Sequence, residues 1–484
     1  MASTPHLPLS TDPDAMEAVA GLIERARRAQ RAIEGFSQER IDELTLAIGW
    51  AIMEPGRNRV LAEMAVRDTG LGNVDDKIAK NYRKTLGLLR DLKGRRTVGV
   101  IAEKPELGLI EIARPAGVVA AVTPSTNPGA TPANKIINAV KCRNAVIVAP
   151  SPKGASTCAQ LLKYVHTELE RAGLDAEVAR DLVQMLPIPV SKSLTHALMM
   201  QADLVVATGS QANVRAAYLS GTPAFGVGAG NVASIVDASA DVEAAAAKIM
   251  QSKTFDNATS CSSENSVILV EPVAEAMLAA LAKQGAVLLD AGDKERLQKT
   301  MWPGGKLSSD VTARAAGEIA EIARLEAPAT RQARALLVEE TGTGPQFPYS
   351  GEKLSPVLTV YRAKSLEDAA CIVSDIYAYQ GAGHSVSLHA QGKAATEGAL
   401  QIGLTMPVAR VIVNQPHAIA TGGNFDNGLP FSLSMGCGTW GGNNFSSNME
   451  VSNYMNITRI AYPIAPRMPS DADIFGAFFE KFGR

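Results

Sequence analysis

Cys261 is the residue whose type and surroundings best suit covalent chemistry. It ends a small polar stretch between a helical pattern over 242–252 and an apolar strand pattern over 266–271. A loop between a helix and a strand can present a thiol to a cleft and surround it with backbone N–H groups. Such groups lower the thiol pKa and can bind an oxyanion. Cysteines are also among the most often buried and inert residues, so the position alone favours a packed thiol.

Three loops of small residues strengthen the case for a catalytic thiol. Asn127 lies in the irregular Pro- and Gly-rich loop 123–132, directly after a strand pattern, and can donate an amide N–H. The turn that ends VVATGS (205–210) precedes a helical pattern, where backbone N–H groups can receive a phosphate. GVGAGN (226–231) requires close backbone approach or positive φ at several positions, which is typical of an enclosed ligand site.

The elements that must position these residues follow a βαβ pattern. From about residue 110, short β-rich apolar runs alternate with helical segments, which is typical of parallel sheets covered by helices on both faces. We therefore predict an α/β fold with two parallel-sheet domains, a Rossmann-like cofactor domain and a domain that carries the thiol. The runs are 117–122, 144–149 and 203–208 in the first block, and 266–271, 285–290 and 409–414 in the second.

The first hundred residues predict helices that pack on a larger body. We expect N-terminal helices and the nucleotide-binding domain over 1–235, and the catalytic domain over 236–440. The segment 441–484 is rich in Asn, Ser and aromatic residues and predicts an oligomerisation arm. The helical stripes are Val19, Leu22, Ile23, Ala26 and Ile33; Ile41, Leu44 and Ile48, after Ser37 as N-cap and before Pro55; and Ile78, Tyr82, Leu86 and Leu89.

Composition excludes several classes of function. Lys and Arg number 47 against 49 Asp and Glu in 484 residues, so no net field favours nucleic acid or an anionic membrane as a partner. The five cysteines are scattered without metal-ligand spacing, so we expect neither a disulfide framework nor a metal site. Residues 1–14 lack Lys, Arg and an apolar run, and no apolar stretch is long enough to span a bilayer. A cytoplasmic protein is expected.

Eight motifs in matching order and spacing make the chain similar to the aldehyde dehydrogenase superfamily, and within it to the CoA-acylating branch. That branch includes the dehydrogenase half of bifunctional aldehyde/alcohol dehydrogenases. The motifs are TxxTNP around Asn127, RNAVIVAPSPKG (143–154), ATGS (207–210), GVGAGN (226–231), KTFDN…C ending at Cys261, EKLSPVLTVYRA (352–363), GAGHS (381–385) and GCGTWGGN (436–443).

The resemblance implies a role for each matching position. Cys261 matches the nucleophile, which forms a thioester with the oxidised aldehyde, and Asn127 matches the amide that steadies the oxyanion. His384 matches a histidine near the site, and a packed or capping histidine is an equal alternative. The cofactor-binding positions implied are Gly209 and Ser210 at the pyrophosphate, Glu352 at the nicotinamide ribose, and Pro124, Ser151, Lys153, Thr208, Gly228, Gly230 and Leu354.

The acceptor of the acyl group can be predicted from a missing residue. Hydrolytic relatives activate water with a Glu in the stretch that corresponds to 226–231. This chain has no Asp or Glu between Asp203 and Asp237. A thiol loses its proton far more easily than water does and needs less help from a base. Coenzyme A is therefore the expected co-substrate.

The nucleotide choice rests on the loop after 144–149. An acidic residue there commonly binds the ribose of NAD, and a basic or neutral loop admits the 2′-phosphate of NADP. No Asp or Glu occurs between Glu111 and Glu168, while Ser151 and Lys153 are present, so NADP is favoured over NAD. A solvated loop lysine is the alternative. GCGTWG (436–441) fits G-x-G-x-x-G but follows no clear strand and opens no helix, so we interpret it as a tight connection.

The aldehyde is the least determined part of the prediction. Within the branch, stretches 49–59, 72–78 and 434–448 are most similar to enzymes that act on sulfoacetaldehyde. Acetaldehyde, propanal and succinate semialdehyde are alternative substrates. An acid-forming dehydrogenase and an inactive assembly subunit are alternative functions. The expected partners are a small aldehyde, CoA and further copies of the chain, as a homodimer or homotetramer.

Overall fold

The computed structural model describes Leu9 and residues 12–484. The described residues do not include 1–8, 10 and 11. Most of the segment 1–14, which is expected to lack a secretory signal, therefore lies outside them. The α-helices of the described residues are α1 Pro13–Glu34, α2 Gln38–Met53, α3 Pro55–Thr69, α4 Val74–Leu92, α5 Ala130–Lys141, α6 Ala155–Arg171, α7 Ala176–Leu182, α8 Lys192–Gln201, α9 Gln211–Leu219, α10 Val242–Thr254, α11 Glu271–Lys283, α12 Ala291–Met301, α13 Ala316–Ile322, α14 Leu366–Tyr379, α15 Ala399–Thr405, α16 His417–Ala420 and α17 Asp471–Phe482.

The strands form three sheets. The strands of the described residues are β1 Gly99–Lys104, β2 Leu109–Pro115, β3 Val118–Thr123, β4 Ala145–Pro150, β5 Val183–Met185, β6 Leu204–Thr208, β7 Ala224–Val227, β8 Val232–Val236, β9 Glu264–Val270, β10 Ala286–Leu288, β11 Ala335–Glu339, β12 Val357–Ala363, β13 Val386–His389, β14 Val411–Val413 and β15 Met455–Ala461. The predicted runs coincide with β3, β4, β6, β9, β10 and β14.

Two of these sheets are parallel throughout, which confirms the predicted α/β fold. The first has the order β5-β4-β3-β6-β7 and the second the order β10-β11-β12-β9-β8-β13-β14. Every residue of β3, β4 and β9 is buried, because helices cover both faces. The predicted domain limit at residue 235 falls inside β8, all of which pairs in the second sheet.

Helix α2 begins and ends where the sequence predicts. Ser37 caps α2 by accepting a hydrogen bond from Arg40 N at 3.3 Å, and Pro55 is the first residue of α3. The apolar stripes of α1 and α2 pack against the first sheet in one core. No helix in the described part of the chain is both long and apolar enough to cross a membrane.

The stripe predicted on α4 is wrong. Tyr82 is 47% and Leu86 is 38% exposed, so the middle of the stripe does not pack inside the subunit, and Leu89 at its end does. The buried face instead carries Lys77, Lys80 and Lys84, each at most 5% exposed. Their spacing of three and four residues places the three lysines on one side of the helix. Carboxylate and carbonyl groups from distant segments make this burial possible, as described below.

The third sheet combines two strands within residues 99–115 with a strand near the end of the chain, within residues 455–461. Strand β15 pairs antiparallel with β2, which pairs antiparallel with β1. The helix α17 follows and has no buried residue. Exposed apolar side chains are concentrated in this segment: Ile460, Tyr462, Ile464, Met468, Ile474, Phe475, Phe478 and Phe482. Whether another subunit covers them stays a prediction.

Candidate active site

The site forms where the loops that precede the strands of the second sheet meet. Cys261 precedes β9, and His384 precedes β13. The glycine-rich stretch 226–231 precedes β8, and Arg410 precedes β14. Since β8, β9, β13 and β14 lie side by side and run parallel, their amino ends share one edge. The fold therefore gathers at one edge four segments that lie far apart in the sequence.

A left-handed turn sets the direction in which the chain approaches Cys261. Asp256, Asn257 and Ala258 have φ of 51°, 50° and 58°, a conformation that costs roughly 1–2 kcal/mol for each non-glycine residue. Hydrogen bonds hold the turn: Asp256 N donates to Asp76 Oδ2 at 2.7 Å, and Asn257 Nδ2 donates to a backbone carbonyl at 3.2 Å. A strained turn persists only where its surroundings over-determine it, and such turns cluster at functional sites.

Asp256 anchors this turn to the buried lysines of α4. Its Oδ2 accepts from Lys80 Nζ at 2.5 Å and from Lys77 Nζ at 3.1 Å. Thr259 Oγ1 donates to the same oxygen at 2.6 Å. The two neighbouring ammonium groups lower the pKa of Asp256 although burial opposes this. Asp256 therefore stays ionised. Through its hydrogen bond with Thr259 it fixes the chain two residues before the thiol. Sequence reasoning missed this cluster, although the lysine spacing on α4 is visible.

Cys261 faces a chain of hydrogen-bonding side chains. Its Sγ lies 3.5 Å from His384 Nε2. His384 Nδ1 lies 2.7 Å from Ser385 Oγ, which lies 2.8 Å from His417 Nε2. Two opposite directions satisfy all three contacts. In the direction that makes His384 a base, the thiol donates to His384, His384 donates to Ser385, and the serine hydroxyl donates to His417. Ser385 belongs to the motif GAGHS (381–385) but has no predicted role, and nothing in its local sequence marks His417.

Burial holds this chain in its neutral form. Desolvation, with the charge of Glu352 and the thiol of Cys437 nearby, raises the pKa of Cys261 to about 12. Desolvation, with the charge of Arg410, lowers the pKa of His384 to about 3. The pKa of His417 also falls well below its usual value because of burial and its cationic and imidazole neighbours. At neutral pH the thiol keeps its proton, and His384 is a neutral acceptor beside it.

Arg410 and Cys437 are further neighbours that the sequence reasoning missed. Arg410 is buried, and its charge favours the Cys261 thiolate and so opposes the rise of that pKa. The guanidinium donates to His384 O at 3.1 Å and to Asn448 Oδ1 at 2.7 Å. It also donates to the carbonyls of residues 436 and 446. Because its donors are engaged by the protein itself, Arg410 acts here as a fixed local charge.

The glycine-rich stretch 226–231 lies directly against the thiol loop. A Cβ added to Gly230 would lie 1.8 Å from Cys261 O and 2.7 Å from Cys261 C. A Cβ added to Gly228 would lie 3.4 Å from Cys437 Sγ, an ordinary contact. Gly383, at φ 91°, would bring its Cβ within 2.1 Å of Cys437 O. These glycines let three loops approach one another more closely than side chains permit.

Asn127 is connected to the thiol loop through Lys80. Lys80 Nζ donates to Asn127 Oδ1 at 3.0 Å and to Thr259 Oγ1 at 3.3 Å. The amide oxygen is thereby occupied, which fixes the orientation of the side chain and leaves Nδ2 as the donor group. Nδ2 makes one long contact, 3.4 Å to Thr126 Oγ1. The arrangement suits an amide that donates to a ligand oxygen.

The predicted nucleotide residues share the carboxyl edge of the first sheet. Pro124 follows β3, Ser151 and Lys153 follow β4, and Thr208, Gly209 and Ser210 end β6 and begin α9. Strand order reverses at β3, whose neighbours are β4 and β6, and such a switch point forms a ligand crevice in open parallel sheets. Thr123 Oγ1, at this edge, is buried without a protein partner, so the crevice holds a free polar group.

Glu352 and Leu354 precede β12 on the thiol side. Glu352 lines a cleft of about 490 Å³ between α12 and the loop 345–351. Burial raises its pKa to about 8, against the attraction of Lys253 and Lys353. Leu354 takes a left-handed φ of 42°, and its carbonyl accepts from residue 313. The structure thus places a largely protonated carboxyl group within electrostatic reach of Cys261.

The described residues contain no group of three or more His, Cys, Asp or Glu side chains that could hold a metal ion. The segment 436–441 forms a short 3-10 turn at Thr439–Gly441, with no strand before it. It packs beside the thiol through Cys437 rather than at the nucleotide crevice.

The structure defines a class of thiol-bearing α/β proteins: it has two parallel sheets, and a thiol–imidazole pair lies at the amino edge of one of them. Comparison with known proteins identifies the family. The model described as "Aldehyde dehydrogenase family" matches residues 8–321. The chain therefore belongs to the aldehyde dehydrogenase family, as the motifs indicate.

Curated and solved relatives span nearly the whole chain. It is 63% identical over 481 residues to the sulfoacetaldehyde dehydrogenase (acylating) of Cupriavidus necator, covering 99% of this chain and 96% of that protein. It is 41% identical over 476 residues to the protein of the same description from Bilophila wadsworthia, covering 97% and 100%. The solved acetylating aldehyde dehydrogenase from Geobacillus thermoglucosidasius has a TM-score of 0.89 at 35% identity, covering 95% and 100%.

Proposed function

We propose that this protein interconverts an aldehyde and its acyl-CoA thioester, with NAD(P) as the electron carrier and Cys261 as the nucleophile. The observation that carries the proposal is the Cys261–His384 contact of 3.5 Å beside a glycine-rich segment without a carboxylate. A thiol next to an imidazole base is the arrangement that activates a cysteine nucleophile. Similarity to two acylating dehydrogenases over nearly the full length supports the same reaction.

In the first half-reaction, Cys261 Sγ attacks the aldehyde carbon while its proton passes to His384. The oxygen that gains negative charge faces Asn127 Nδ2 and the backbone N–H of Cys261, which stabilise it. A nicotinamide nucleotide in the crevice at the carboxyl edge of β3 and β6 supplies the two-electron acceptor. The former aldehyde carbon loses its hydrogen as a hydride, with both electrons of the C–H bond, and the C=O bond re-forms, which leaves a thioester on Cys261.

In the second half-reaction, a thiol replaces the enzyme at the acyl carbon. The CoA sulfur bonds to the acyl carbon, the bond to Cys261 Sγ breaks, and the CoA proton moves to the protein. His384 takes the Cys261 proton in the first half and releases it to solvent, and in the second half it passes the CoA proton to the departing Cys261 thiolate. Its contacts with Ser385 and His417 keep its ring in one orientation. The same steps in reverse reduce an acyl-CoA to an aldehyde.

Hydrolysis of the acyl-enzyme to a carboxylic acid is the rival reaction, and it needs a base that activates water. Glu352 is near enough for its charge to raise the pKa of Cys261, so it is the carboxylate available to activate water. The test incubates the enzyme, aldehyde and nucleotide with and without CoA and measures thioester and acid. We expect turnover to depend on CoA. Rapid CoA-independent acid formation would contradict the acylating proposal.

We propose sulfoacetaldehyde as the aldehyde. Support comes from the 63% identity to the Cupriavidus necator enzyme and from the excess of buried cations on α4. The experiment compares kcat/KM for sulfoacetaldehyde, acetaldehyde, propanal and succinate semialdehyde, with CoA and both nucleotides, and identifies each thioester by mass. We expect the highest value for sulfoacetaldehyde. A higher value for an uncharged aldehyde would overturn this part of the proposal.

NADP is the proposed nucleotide, because Lys153 is exposed beside β4 and no Asp or Glu occurs between that strand and Glu168. We also propose that the arm β15–α17 joins copies of the chain, since its exposed apolar side chains require a cover. Analytical ultracentrifugation of the full chain, and of a chain ending at residue 468, tests this. A monomeric full chain would contradict it.

A further inference from the structure

The buried face of α4 carries more positive charge than its surroundings neutralise. Lys77 and Lys80 share one carboxylate, Asp256. Asp76 lies near Lys77, and Asp426 lies near the neighbouring Arg83. The third lysine of the face, Lys84, forms no ion pair among the residues that the structure describes. A buried ammonium group without a counter-charge is costly, so its presence requires an explanation.

Lys84 is held by neutral groups only. Its Nζ donates to Gly422 O at 2.7 Å and to Gly423 O at 3.3 Å. The ring of Phe431 lies 5.4 Å from the same atom, within the range of a cation–π contact. An ammonium group has three N–H donors, so one donor of Lys84 is left after these two hydrogen bonds. The side chain is therefore fixed in position and still able to bind one more acceptor.

Lys84 contacts the segments that surround the reacting thiol. It lies one helical turn from Lys80, whose Nζ donates to Thr259 Oγ1, two residues before Cys261, at 3.3 Å. The carbonyl of Gly422 that it binds comes just after α16, and Ala418 O of that helix accepts from Ser262 Oγ, the neighbour of Cys261, at 3.5 Å. Burial, with Arg83 and Lys80 nearby, lowers the pKa of Lys84 well below its usual value, and an anion beside it, such as the Cys261 thiolate, opposes that fall. Two other cations lie near the site, but their donors are taken. Lys80 already donates to Asn127, Asp256 and Thr259. Arg410 donates to carbonyl and amide oxygens of its own chain, as described above.

We propose that Lys84 binds the sulfonate group of the substrate and selects an anionic aldehyde over a neutral one. The inference rests on the proposed function and adds a residue to it. In sulfoacetaldehyde a single methylene separates the sulfonate from the carbonyl carbon. A cation that binds the sulfonate while Cys261 bonds to that carbon must therefore lie beside the thiol. Lys84 meets this condition and has the free donor, and a sulfonate oxygen accepts a charge-assisted hydrogen bond.

The enzymatic test compares two aldehydes in the same preparation. Lys84→Gln removes the charge and keeps a donor for Gly422 O, and Lys84→Arg keeps the charge. For each variant the specificity ratio is kcat/KM for sulfoacetaldehyde divided by kcat/KM for propanal. We expect Lys84→Gln to lower this ratio about 10- to 100-fold, the size of a lost hydrogen bond between charged groups. Lys84→Arg should retain most of it.

Lys135→Gln is the matched control. Lys135 is likewise fully buried, lacks an ion pair in the described part of the chain, and donates to two carbonyls, Val122 O at 2.9 Å and Val206 O at 2.7 Å. It lies in the core of the first sheet. Its loss should alter both aldehydes equally and leave the ratio unchanged. An equal fall of both rates in Lys84→Gln, with an unchanged ratio, would assign Lys84 a structural role and overturn the proposal.

A binding experiment separates this inference from the choice of substrate. Ethanesulfonate carries the sulfonate tail without the aldehyde, and its affinity can be measured by calorimetry. We expect Lys84→Gln to weaken its binding at least about tenfold and Lys135→Gln to leave it unchanged. If wild-type enzyme does not oxidise sulfoacetaldehyde but binds ethanesulfonate through Lys84, the substrate is wrong and the site stands. If the enzyme oxidises sulfoacetaldehyde but Lys84→Gln leaves the specificity ratio unchanged, the substrate is right and the site at Lys84 is wrong.

Discussion

Gly230 offers a direct test of how the site is positioned. An alanine at this position would place its Cβ 1.8 Å from Cys261 O. An ordinary contact of this kind begins at 3.4 Å, so the two loops must separate by roughly 1.6 Å, the difference between the two values. Both atoms belong to the backbone or to Cβ, so no flexible side chain can absorb the movement. A displacement of about 1 Å in a reacting group can lower a rate by about 100-fold.

We therefore expect Gly230→Ala to lower the rate of acyl-enzyme formation by at least about 100-fold. The assay mixes enzyme with aldehyde and nucleotide in the absence of CoA and follows the mass of the acylated peptide over time. Gly228→Ala is the comparison, because its Cβ would meet Cys437 Sγ at 3.4 Å, and it should cost at least about tenfold less. Circular dichroism checks that both variants fold. A Gly230→Ala rate within threefold of wild type would refute the claim that this glycine positions the thiol.

Three further predictions concern charge. Because the pKa of Cys261 is raised to about 12, its alkylation by iodoacetamide should be slow at pH 7 and should accelerate about tenfold per pH unit up to pH 9. Peptide mass spectrometry measures the alkylation, and the exposed Cys371 should be labelled first. An alkylation rate of Cys261 that does not depend on pH would contradict the raised pKa. Asp256→Asn should reduce the free energy of unfolding by about 3–5 kcal/mol, since Lys77 and Lys80 would lose their shared carboxylate, whereas exposed Asp426→Asn should have little effect in the same urea titration. Lys153→Glu should lower the ratio of kcat/KM for NADP over NAD at least about tenfold, and an unchanged ratio would remove Lys153 from the nucleotide site.

Local patterns predicted six of the strands of the described residues, and the clearest of these, β3 and β4, are short, fully buried apolar runs. In a parallel sheet with helices on both faces, nearly every strand residue must be apolar, so β3 and β4 can be found from the sequence alone, whereas β9 is recognised by its apolar second half. The same logic failed on α4. Lys77 and Lys80 are buried because Asp256, more than 170 positions away, supplies their counter-charge. No local pattern contains that information.

The candidate site shows the same division between local and distant information. The motif around Cys261 identified the thiol, and GAGHS (381–385) identified its imidazole partner only through family resemblance. The 3.5 Å contact joins residues 123 positions apart and arises because β9 and β13 lie on either side of β8. His417 and Arg410 carry no local signal and enter through the loops at the same sheet edge. Spacing along the chain cannot predict such contacts without the strand order.

The pKa values at the site bear on the choice between a thiol and water as acyl acceptor. His384, with a pKa of about 3, is a weak base. Taking a proton from a thiol of pKa about 8.5 is difficult for it, but bulk water, at about 15.7, is harder by about 7 units, or roughly 10 kcal/mol. Glu352 is the stronger base, with a pKa of about 8, yet below that pH most of it is protonated. Burial keeps His384 and Glu352 neutral, and it therefore hinders the deprotonation of water far more than that of CoA. This agrees with the absence of a carboxylate between Asp203 and Asp237.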